Sequence, residues 1–174
     1  MALRKGKCYT EVKRAYTRKS KVKSKGYIKA IPTSKIAKYA MGEVNAYNQG
    51  KFKVKIRFIS GQDIQLRDNG LEACRQIILR HLTETVKTFY CSLAVYPHHV
   101  LRENKMLTGA GADRMSSGMQ RAFGKAVNLA AQVKKGQTIF LVACNEDKAK
   151  DVHKILALAR AKIPGHYTIV EEKI

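Results

Sequence analysis

Residues 51–58 read KFKVKIRF, an unbroken alternation of cationic and apolar residues. Successive side chains of a β-strand point to opposite faces, so this alternation predicts a half-buried strand with one apolar and one cationic face. The cationic face suits contact with a polyanion, although the pattern alone also allows a merely solvated face. The inward residues are then Phe52, Val54, Ile56 and Phe58, and the outward residues are Lys51, Lys53, Lys55 and Arg57.

The residues after this strand predict a second strand and a long helix. Ile64 and Leu66 mark the strand, and Asp68-Asn69-Gly70 is typical of a turn that closes it. Apolar residues then recur at helical spacing to about Thr88, which indicates a helix that packs one stripe on the sheet. The stripe comprises Cys74, Ile77, Ile78, Leu82 and Val86. The cations off it could touch phosphate or form an ordinary solvated helix face, and they are Arg75, Arg80 and Lys87.

Further strands and a second helix complete the predicted body. The extended segments are residues 89–96, 98–101, 126–133, 136–144 and 166–170, with Pro97 and a Lys134-Lys135-Gly136 turn as interruptions. A helix capped by Asn145 follows the fourth segment, with Val152, Ile155, Leu156 and Ala159 facing inward. The order shows no regular βαβ alternation. It predicts an α+β fold, a two-layer body with two main helices against a mixed, mainly antiparallel sheet.

The charge of the chain is strongly positive and unevenly distributed. Its 174 residues contain 34 Lys or Arg against 13 Asp or Glu, a formal net charge of +21. Residues 1–38 hold thirteen of these cations and one acid, Glu11. Residues 1–32 are therefore predicted to be a basic extension that orders on its partner, because so cationic a segment cannot collapse alone. A short helix, capped by Thr33 or Ser34 and ended by Gly42, is predicted to anchor it.

The charge surplus indicates a polyanionic partner, and nucleic acid is favoured over an acidic membrane. No run approaches the roughly twenty apolar residues of a spanning helix, and residues 1–14 lack the apolar core of a signal peptide. Tyr9, Tyr16 and Tyr27 recur within the basic run, where they could stack on bases.

The four cysteines are widely spaced without a C-x-x-C pair, which favours reduced thiols in the cytoplasm and supports no metal site.

Residues 105–125, KMLTGAGADRMSSGMQRAFGK, combine glycines with widely spaced cations. Because glycine permits otherwise closed backbone conformations and Lys and Arg donate to phosphate, residues 102–118 are predicted to be a flexible loop that reaches toward a polyanion. Residues 109–114 partly match a dinucleotide fingerprint, but Arg114 replaces its third glycine. A nucleotide-dependent enzyme using this loop stays an alternative. Nevertheless, no nucleophile, base and orienting group come together, and adjacent His98 and His99 cannot share one metal site on a strand.

The most specific motifs are YPHHVLRENKMLTGAGADRM at residues 96–115 and GMQRAFGK at residues 118–125. Shorter matches in the same order are Cys8-Tyr9, AYTRK at 15–19, YIKAIP at 27–32 and NGLEACR at 69–75. Together these motifs closely resemble the universal L16 family of large-subunit ribosomal proteins, called L10e in its archaeal and eukaryotic form. The resemblance covers nearly the whole chain.

This resemblance implies a body of the α/β-hammerhead type, bound to large-subunit rRNA between the central protuberance and the peptidyl transferase region. It also implies that the loop extends toward the acceptor ends of tRNA. The corresponding loop residues are Arg102, Lys105, Thr108, Gly109, Gly111, Asp113, Arg114 and Met115, with Arg121 and Lys125 on rRNA at the base of the loop. The other predicted rRNA contacts are Arg4, Lys5, Lys7, Tyr9, Arg14, Tyr16, Arg18, Lys19, Lys21, Lys23 and Lys25 in the extension, and Lys53, Lys55 and Arg57 on the strand.

The predicted function is a structural constituent of the large ribosomal subunit in the cytoplasm, without enzymatic activity or a cofactor. Its expected partners are rRNA, tRNA acceptor ends and neighbouring ribosomal proteins, and it would help to shape the aminoacyl-tRNA and peptidyl-tRNA sites. The alternative is a free RNA-binding or ribosome-assembly factor of the same chemistry. The predicted division of the chain is a basic extension at residues 1–32 and a single α+β domain at residues 33–174.

Overall fold

The computed structural model of the chain describes residues 5–12, 28, 30–104, 109–111 and 124–173. In these ranges the chain forms eight β-strands and three α-helices, so the fold is α+β, as predicted. The strands are β1 (Ala40–Gly42), β2 (Val54–Ser60), β3 (Ile64–Arg67), β4 (Tyr90–Leu93), β5 (His99–Glu103), β6 (Lys125–Val133), β7 (Thr138–Cys144) and β8 (Tyr167–Lys173). The helices are α1 (Val44–Asn48), α2 (Asp68–Thr85) and α3 (Ala149–Ala159), and 3-10 helices lie at Gly6–Tyr9, Glu146–Lys148 and Arg160–Lys162.

The described strands are divided between two sheets. The larger sheet has the order β1-β4-β7-β2-β8 and the smaller the order β3-β6-β5. Neighbouring strands in both sheets pair antiparallel. Strand β2 lies between β7 and β8, with Ile56 opposite Val142 and Glu171. The turn at residues 134–137 joins β6 to β7, and it therefore connects the two sheets instead of closing a hairpin.

Strand β2 confirms the alternation seen in residues 51–58. Its side chains alternate between buried and half-buried along the whole strand. Regular strand structure begins at Val54, and Phe52 is buried just before it. The ring centre of Phe58 lies 6.4 Å from that of Phe140 and 4.8 Å from that of Tyr167. The apolar half of the pattern thus lies at the centre of the core.

Helices α2 and α3 bury one apolar stripe each in the same core as the strands. The predicted inward residues of α3 are all buried, which confirms the helix and its orientation. The predicted cap is wrong, because Asn145 precedes a 3-10 helix, makes no side-chain cap bond, and α3 begins only at Ala149. Helix α2 follows its predicted stripe, with Leu71 buried in addition and Ile77 only half-buried. The fully enclosed apolar residues of α2 are Leu71, Cys74, Ile78 and Leu82.

The predicted short helix that ends at Gly42 is wrong. Residues 31–38 have no regular secondary structure, and the next residues form strand β1 at the edge of the larger sheet. The backbone N–H groups of Lys35 and Ala37 donate to the carboxylates of Asp68 and Glu72, instead of to carbonyls one turn back. Because both acids belong to helix α2, contacts distant in sequence override the local helical spacing.

The predicted Asp68-Asn69-Gly70 turn is the first turn of helix α2. Asp68 is completely buried, and its carboxylate accepts hydrogen bonds from the N–H groups of Asn69 at 2.8 Å and Lys35 at 3.3 Å. An acidic side chain is favourable there because the N-terminus of a helix carries a partial positive charge. The chain therefore passes from β3 directly into α2.

Gly42 is expected to tolerate no side chain, in contrast to Gly50. Both have a positive φ, +82° and +68° respectively, which L residues rarely adopt. A Cβ at Gly42 would lie 2.1 Å from the carbonyl oxygen of Phe89, whereas a Cβ at Gly50 meets nothing within 4 Å. We expect Gly50→Ala to lower the free energy of unfolding by about 1 kcal/mol and Gly42→Ala by about 1–3 kcal/mol more. Urea denaturation measures both, and equal losses would contradict the clash.

Candidate nucleic-acid interface

The four predicted cations, two just before strand β2 and two on it, differ in their surroundings. Lys51 and Lys53 are exposed, whereas Lys55 and Arg57 are half-buried on the outward face of the strand. The Arg57 guanidinium forms an ion pair with the carboxylate of Glu172 on the neighbouring strand β8. The three lysines are therefore better placed than Arg57 to meet phosphate.

A pair of stacked tyrosines lies beside Lys55. The ring centres of Tyr47 and Tyr90 are 4.1 Å apart, with an angle of 15° between the planes. Lys55 Nζ lies 5.9 Å from the centre of the Tyr47 ring, within the range of cation–π attraction. Tyr90 and Lys55 are both paired with Ala143 of strand β7, so they share the outward face of the larger sheet. Aromatic rings beside cations are typical of surfaces on which nucleotide bases stack.

A second aromatic group lies near the end of the extended segment that begins at Tyr90. From residue 90 to residue 99, odd-numbered residues are buried and even-numbered ones are half-buried or exposed. The Tyr96 ring centre lies 5.4 Å from that of Tyr39 and 4.5 Å from that of His98. Tyr96 is nevertheless 47% exposed. These three residues are called the Tyr96 cluster below. Burial raises the pKa of the Tyr39 hydroxyl, which therefore stays neutral at physiological pH.

Tyr96 and His98 belong to the motif at residues 96–115, but the sequence patterns do not predict the contacts Tyr47–Tyr90 and Tyr39–Tyr96. The two tyrosines in each of these contacts come from different elements, so no local motif connects them. A usable signal was present in the period of two along residues 90–98, whose even positions include Tyr90, Tyr96 and His98. Aromatic residues that recur on the solvated side of an extended segment are candidates for a binding surface.

The first described residues of the basic extension contact the body. The Tyr9 ring centre lies 5.0 Å from the guanidinium carbon of Arg67. The side chain and backbone N–H of Gln65 donate to the carbonyls of Tyr9 and Thr10, at 2.9 and 3.0 Å. Tyr9 is thus held against strand β3, and the exposed cations beside it are Lys5 and Lys7. The rest of the predicted set in the extension lies outside the described residues: Arg4, Arg14, Tyr16, Arg18, Lys19, Lys21, Lys23 and Lys25.

Strands β5 and β6 pair on either side of the glycine-rich segment. Their last paired residues are Glu103 and Lys125, and Lys125 is exposed. Arg102 belongs to strand β5, so it lies at the root of the predicted loop. Gly109 and Gly111 are exposed, with φ values of +139° and +79° and open space where a Cβ would be. The other predicted residues of the loop and its base lie outside the described residues: Lys105, Thr108, Asp113, Arg114, Met115 and Arg121.

His99 and Arg75 are both buried. The Nδ1 atom of His99 has no hydrogen-bond partner among the described residues, and burial together with nearby Arg102 lowers the pKa of its ring. His98 lies on the opposite, exposed side, as the alternation of a strand requires.

Arg75 is 7% exposed and donates to the Glu72 carboxylate at 2.6 Å. The interpretation that Arg75 could touch phosphate is therefore wrong.

The three buried thiols of the chain are poor candidates for chemistry. Burial raises the pKa of Cys74 and Cys91 to about 12 and that of Cys144 to about 11. These three groups are protonated at neutral pH and are weak nucleophiles and metal ligands. Within the described ranges, no cluster of three or more His, Cys, Asp or Glu could hold a metal ion. Nor is any helix there both long and apolar enough to span a membrane.

A cavity of about 220 Å³ lies where the N-terminal 3-10 helix meets the start of helix α2. Two cations, Arg67 and Lys162, line it together with backbone and amide groups. Its described lining contains no carboxylate, histidine or thiol, which favours contact with an anion over acid–base catalysis. The described residues that line it are Gly6, Gln65, Leu66, Arg67, Asn69, Gly70, Lys162, Ile163 and Pro164.

The last thirty residues have a nearly balanced charge, with five acids and six Lys or Arg in residues 145–174. Several of these groups pair with each other. His153 Nε2 lies 3.1 Å from a Glu171 oxygen, and Lys173 Nζ lies 3.9 Å from a Glu146 oxygen. Helix α3 and strand β8 therefore form a surface that attracts a polyanion less than the extension does, and less than Lys51 and Lys53 just before strand β2.

Comparisons with known proteins agree on one family. A family model described as ribosomal protein L16p/L10e matches residues 12–170. The chain is 42% identical over 178 residues to large ribosomal subunit protein uL16 of Methanococcus maripaludis strain C7, a match that covers 99% of this chain and 96% of the relative. The protein of the same name from Sulfolobus acidocaldarius is 38% identical over 169 residues, covering 94% of this chain and 90% of the relative. That from Caldivirga maquilingensis is 38% identical over 168 residues, covering 94% and 91%.

Proposed function

Because this chain belongs to the ribosomal protein L16p/L10e family, we propose that it is a structural component of the large ribosomal subunit and binds large-subunit rRNA. The observation that carries the proposal is the excess of 34 Lys or Arg over 13 Asp or Glu on a chain that matches this family along nearly its whole length. Its relatives bear the name of large-subunit proteins. The chain acts by binding and organising RNA, not as an enzyme.

The proposed mechanism of rRNA binding is electrostatic. Each phosphate that a Lys or Arg neutralises releases condensed counterions, so affinity falls steeply with added salt. The extension supplies most of these contacts. Lys51 and Lys53 before strand β2 and Lys55 on it add a second set, since the first two are exposed and the third is half-buried. Phosphate contacts fix position and orientation without reading sequence, so the α+β body, proposed to be of the hammerhead type, determines where the glycine-rich loop points.

The loop at residues 102–118 is proposed to reach the acceptor ends of tRNA and to help shape the aminoacyl-tRNA and peptidyl-tRNA sites. Two features support this. The pairing of β5 with β6 up to Glu103 and Lys125 gives the segment a rigid root. Its described glycines are exposed and hold conformations that favour glycine, which allows close approach of backbone to a ligand. Arg102 at the root, and Arg121 and Lys125 after the loop, would bind rRNA or tRNA phosphates.

Salt dependence of binding tests the role of the extension. We expect the full chain to bind large-subunit rRNA with an affinity that falls as salt rises. Replacing Arg14, Arg18 and Lys19 with Ala should lower the slope of log affinity against log salt by about 2–3, because each phosphate contact contributes about 0.7–0.9. The free energy of unfolding should change little. Filter binding at several ionic strengths gives the slope.

A matched control removes the same number of charges from helix α3 and the residue directly before it. Lys148, Lys150 and Lys154 are exposed there, among acidic residues. Their replacement by Ala should leave the slope nearly unchanged. Equal effects of the two triple variants would mean that only net charge matters. Absence of binding at low salt, or binding without salt sensitivity, would overturn the proposed function.

Sedimentation separates this proposal from its alternatives. A structural component remains with mature large subunits through a salt gradient, whereas a free RNA-binding or assembly factor is released or associates only with precursors. A nucleotide-dependent enzyme would instead show saturable binding of a mononucleotide or dinucleotide. The structural role requires the first behaviour.

A further inference from the structure

We propose that the Tyr96 cluster is a stacking site for an unpaired base of the rRNA, placed just before strand β5, which leads into the glycine-rich segment. The inference rests on the proposed function and adds a definite contact to it. The site consists of Tyr96 and His98, with Tyr39 packed against the Tyr96 ring.

The cluster is held in place before any ligand arrives. The plane of the Tyr96 ring makes an angle of 23° with that of Tyr39 and 47° with that of His98, at the short centre distances given above. Val95 and Pro97 are buried on either side of Tyr96, and proline fixes the backbone φ at that point. A base that stacks here finds rings already ordered, so little side-chain entropy is lost on binding.

Tyr96 remains accessible although its ring packs on two neighbours. Nearly half of the residue, 47%, is exposed, so a partner can reach it. Its hydroxyl and the imidazole of His98 add hydrogen-bonding groups at the edge of this apolar surface. Aromatic faces with polar edges match a nucleobase, which has a π-face and a polar rim.

The charge around the cluster favours RNA over a protein surface. Exposed Lys35 and Lys38 lie in the segment that leads to Tyr39, and the whole chain carries a net charge of +21. Cations can meet the phosphates on either side of a stacked nucleotide, as in proteins that bind single-stranded nucleic acid. The base must be unpaired, since bases within a helix already stack on both faces.

The position of the cluster indicates what this contact would do. His98 directly precedes strand β5, and β5 with β6 carries the glycine-rich segment. An rRNA base fixed on Tyr96 and His98 would hold the start of strand β5, at the opposite end of the strand from the loop, against the RNA. The phosphate contacts of the extension would then be joined by one contact that orients the loop.

Fluorescence tests the stacking directly because the chain contains no tryptophan. Tyr96→Trp places a single indole in the cluster, and we expect large-subunit rRNA to quench its emission as the base stacks on it. Leu158→Trp is the control, since Leu158 is 58% exposed on helix α3, on the charge-balanced surface. Equal quenching of both indoles, or none at Tyr96→Trp while the protein binds rRNA, would overturn the stacking site.

Two further variants measure the contribution to affinity. Tyr96→Ala should weaken rRNA binding on the order of tenfold, as expected for loss of one base–aromatic stack. Tyr96→Phe should bind like the parent chain because it keeps the ring. Both should keep the salt slope, since no charge changes.

The outcomes separate the two proposals. If the parent chain fails to bind large-subunit rRNA, the proposed function fails. If the parent binds and Tyr96→Ala binds equally well, only the stacking site fails. An emission change of Tyr96→Trp that requires other ribosomal proteins and does not occur with rRNA alone would assign the surface to a protein neighbour and would likewise overturn this inference.

Discussion

Ribosomes that carry this chain with residues 108–117 shortened are expected to assemble and yet to form peptide bonds on the order of a hundredfold more slowly. A misplacement of about 1 Å in a reacting group can cost this much. The shortened segment leaves the pairing of Glu103 with Lys125 intact, so the hairpin root and the core should persist. The measurement is the single-turnover rate of peptide-bond formation by purified ribosomes.

Two controls keep this result interpretable. The free shortened chain should match the parent in its free energy of unfolding and in its affinity for large-subunit rRNA. A second variant, with residues 108–117 replaced by an equally long Gly and Ser sequence, separates the length of the segment from its side chains, which include Asp113 and Arg114. Unchanged peptide-bond formation by ribosomes with the shortened chain would contradict the proposed tRNA role of the loop. Failure to assemble would assign the segment to rRNA binding instead.

Replacing Leu156 with Ala is expected to lower the free energy of unfolding by about 2–5 kcal/mol. Leu156 is completely buried on the inward stripe of helix α3, so the truncated side chain leaves a cavity among residues that cannot fully collapse. A loss of this size is a large fraction of the stability of an ordinary domain. Urea denaturation of the full chain, followed by circular dichroism, measures it.

The same helix offers a control with identical chemistry. Leu158 lies two residues further along and is 58% exposed. Leu158→Ala should change the free energy of unfolding by no more than about 0.5 kcal/mol, as for most surface substitutions. Similar losses in both variants would contradict the orientation of helix α3 in the core.

Elements with a strong local period could be predicted from the sequence. Strand β2 follows a period of two through residues 54–58, and helix α3 buries the four residues that its helical spacing selects. In both cases one face meets the core and the other meets solvent, so the pattern carries the information. Such elements need no knowledge of the rest of the chain.

Elements held by distant partners could not be predicted in this way. Residues 31–38 have a plausible helical spacing, yet the carboxylates of Asp68 and Glu72 take up two of their N–H groups. The division of the strands between two sheets has the same origin, since the turn at residues 134–137 is equally compatible with a hairpin. Long-range hydrogen bonds determine both outcomes.

The candidate site likewise contains residues that the local pattern predicts and contacts that depend on distant residues. Lysines on the outward face of the strand followed from its alternation, whereas the ion pair that engages Arg57 depends on Glu172, far along the chain. The stacking of Tyr39 on Tyr96 likewise joins residues that no local motif connects. The identity of the family, by contrast, was visible in contiguous motifs, because the loop sequence is specific on its own.

The contrast between one exposed and three buried cysteines has a practical consequence. Cys8 is exposed within the N-terminal 3-10 helix (Gly6–Tyr9), while Cys74, Cys91 and Cys144 are enclosed and remain thiols at neutral pH. Maleimide reagents require an accessible thiolate, so the native protein carries a natural handle for a dye or a spin label at a single position. A label there would report whether the N-terminus stays attached to strand β3 or is released when the subunit forms.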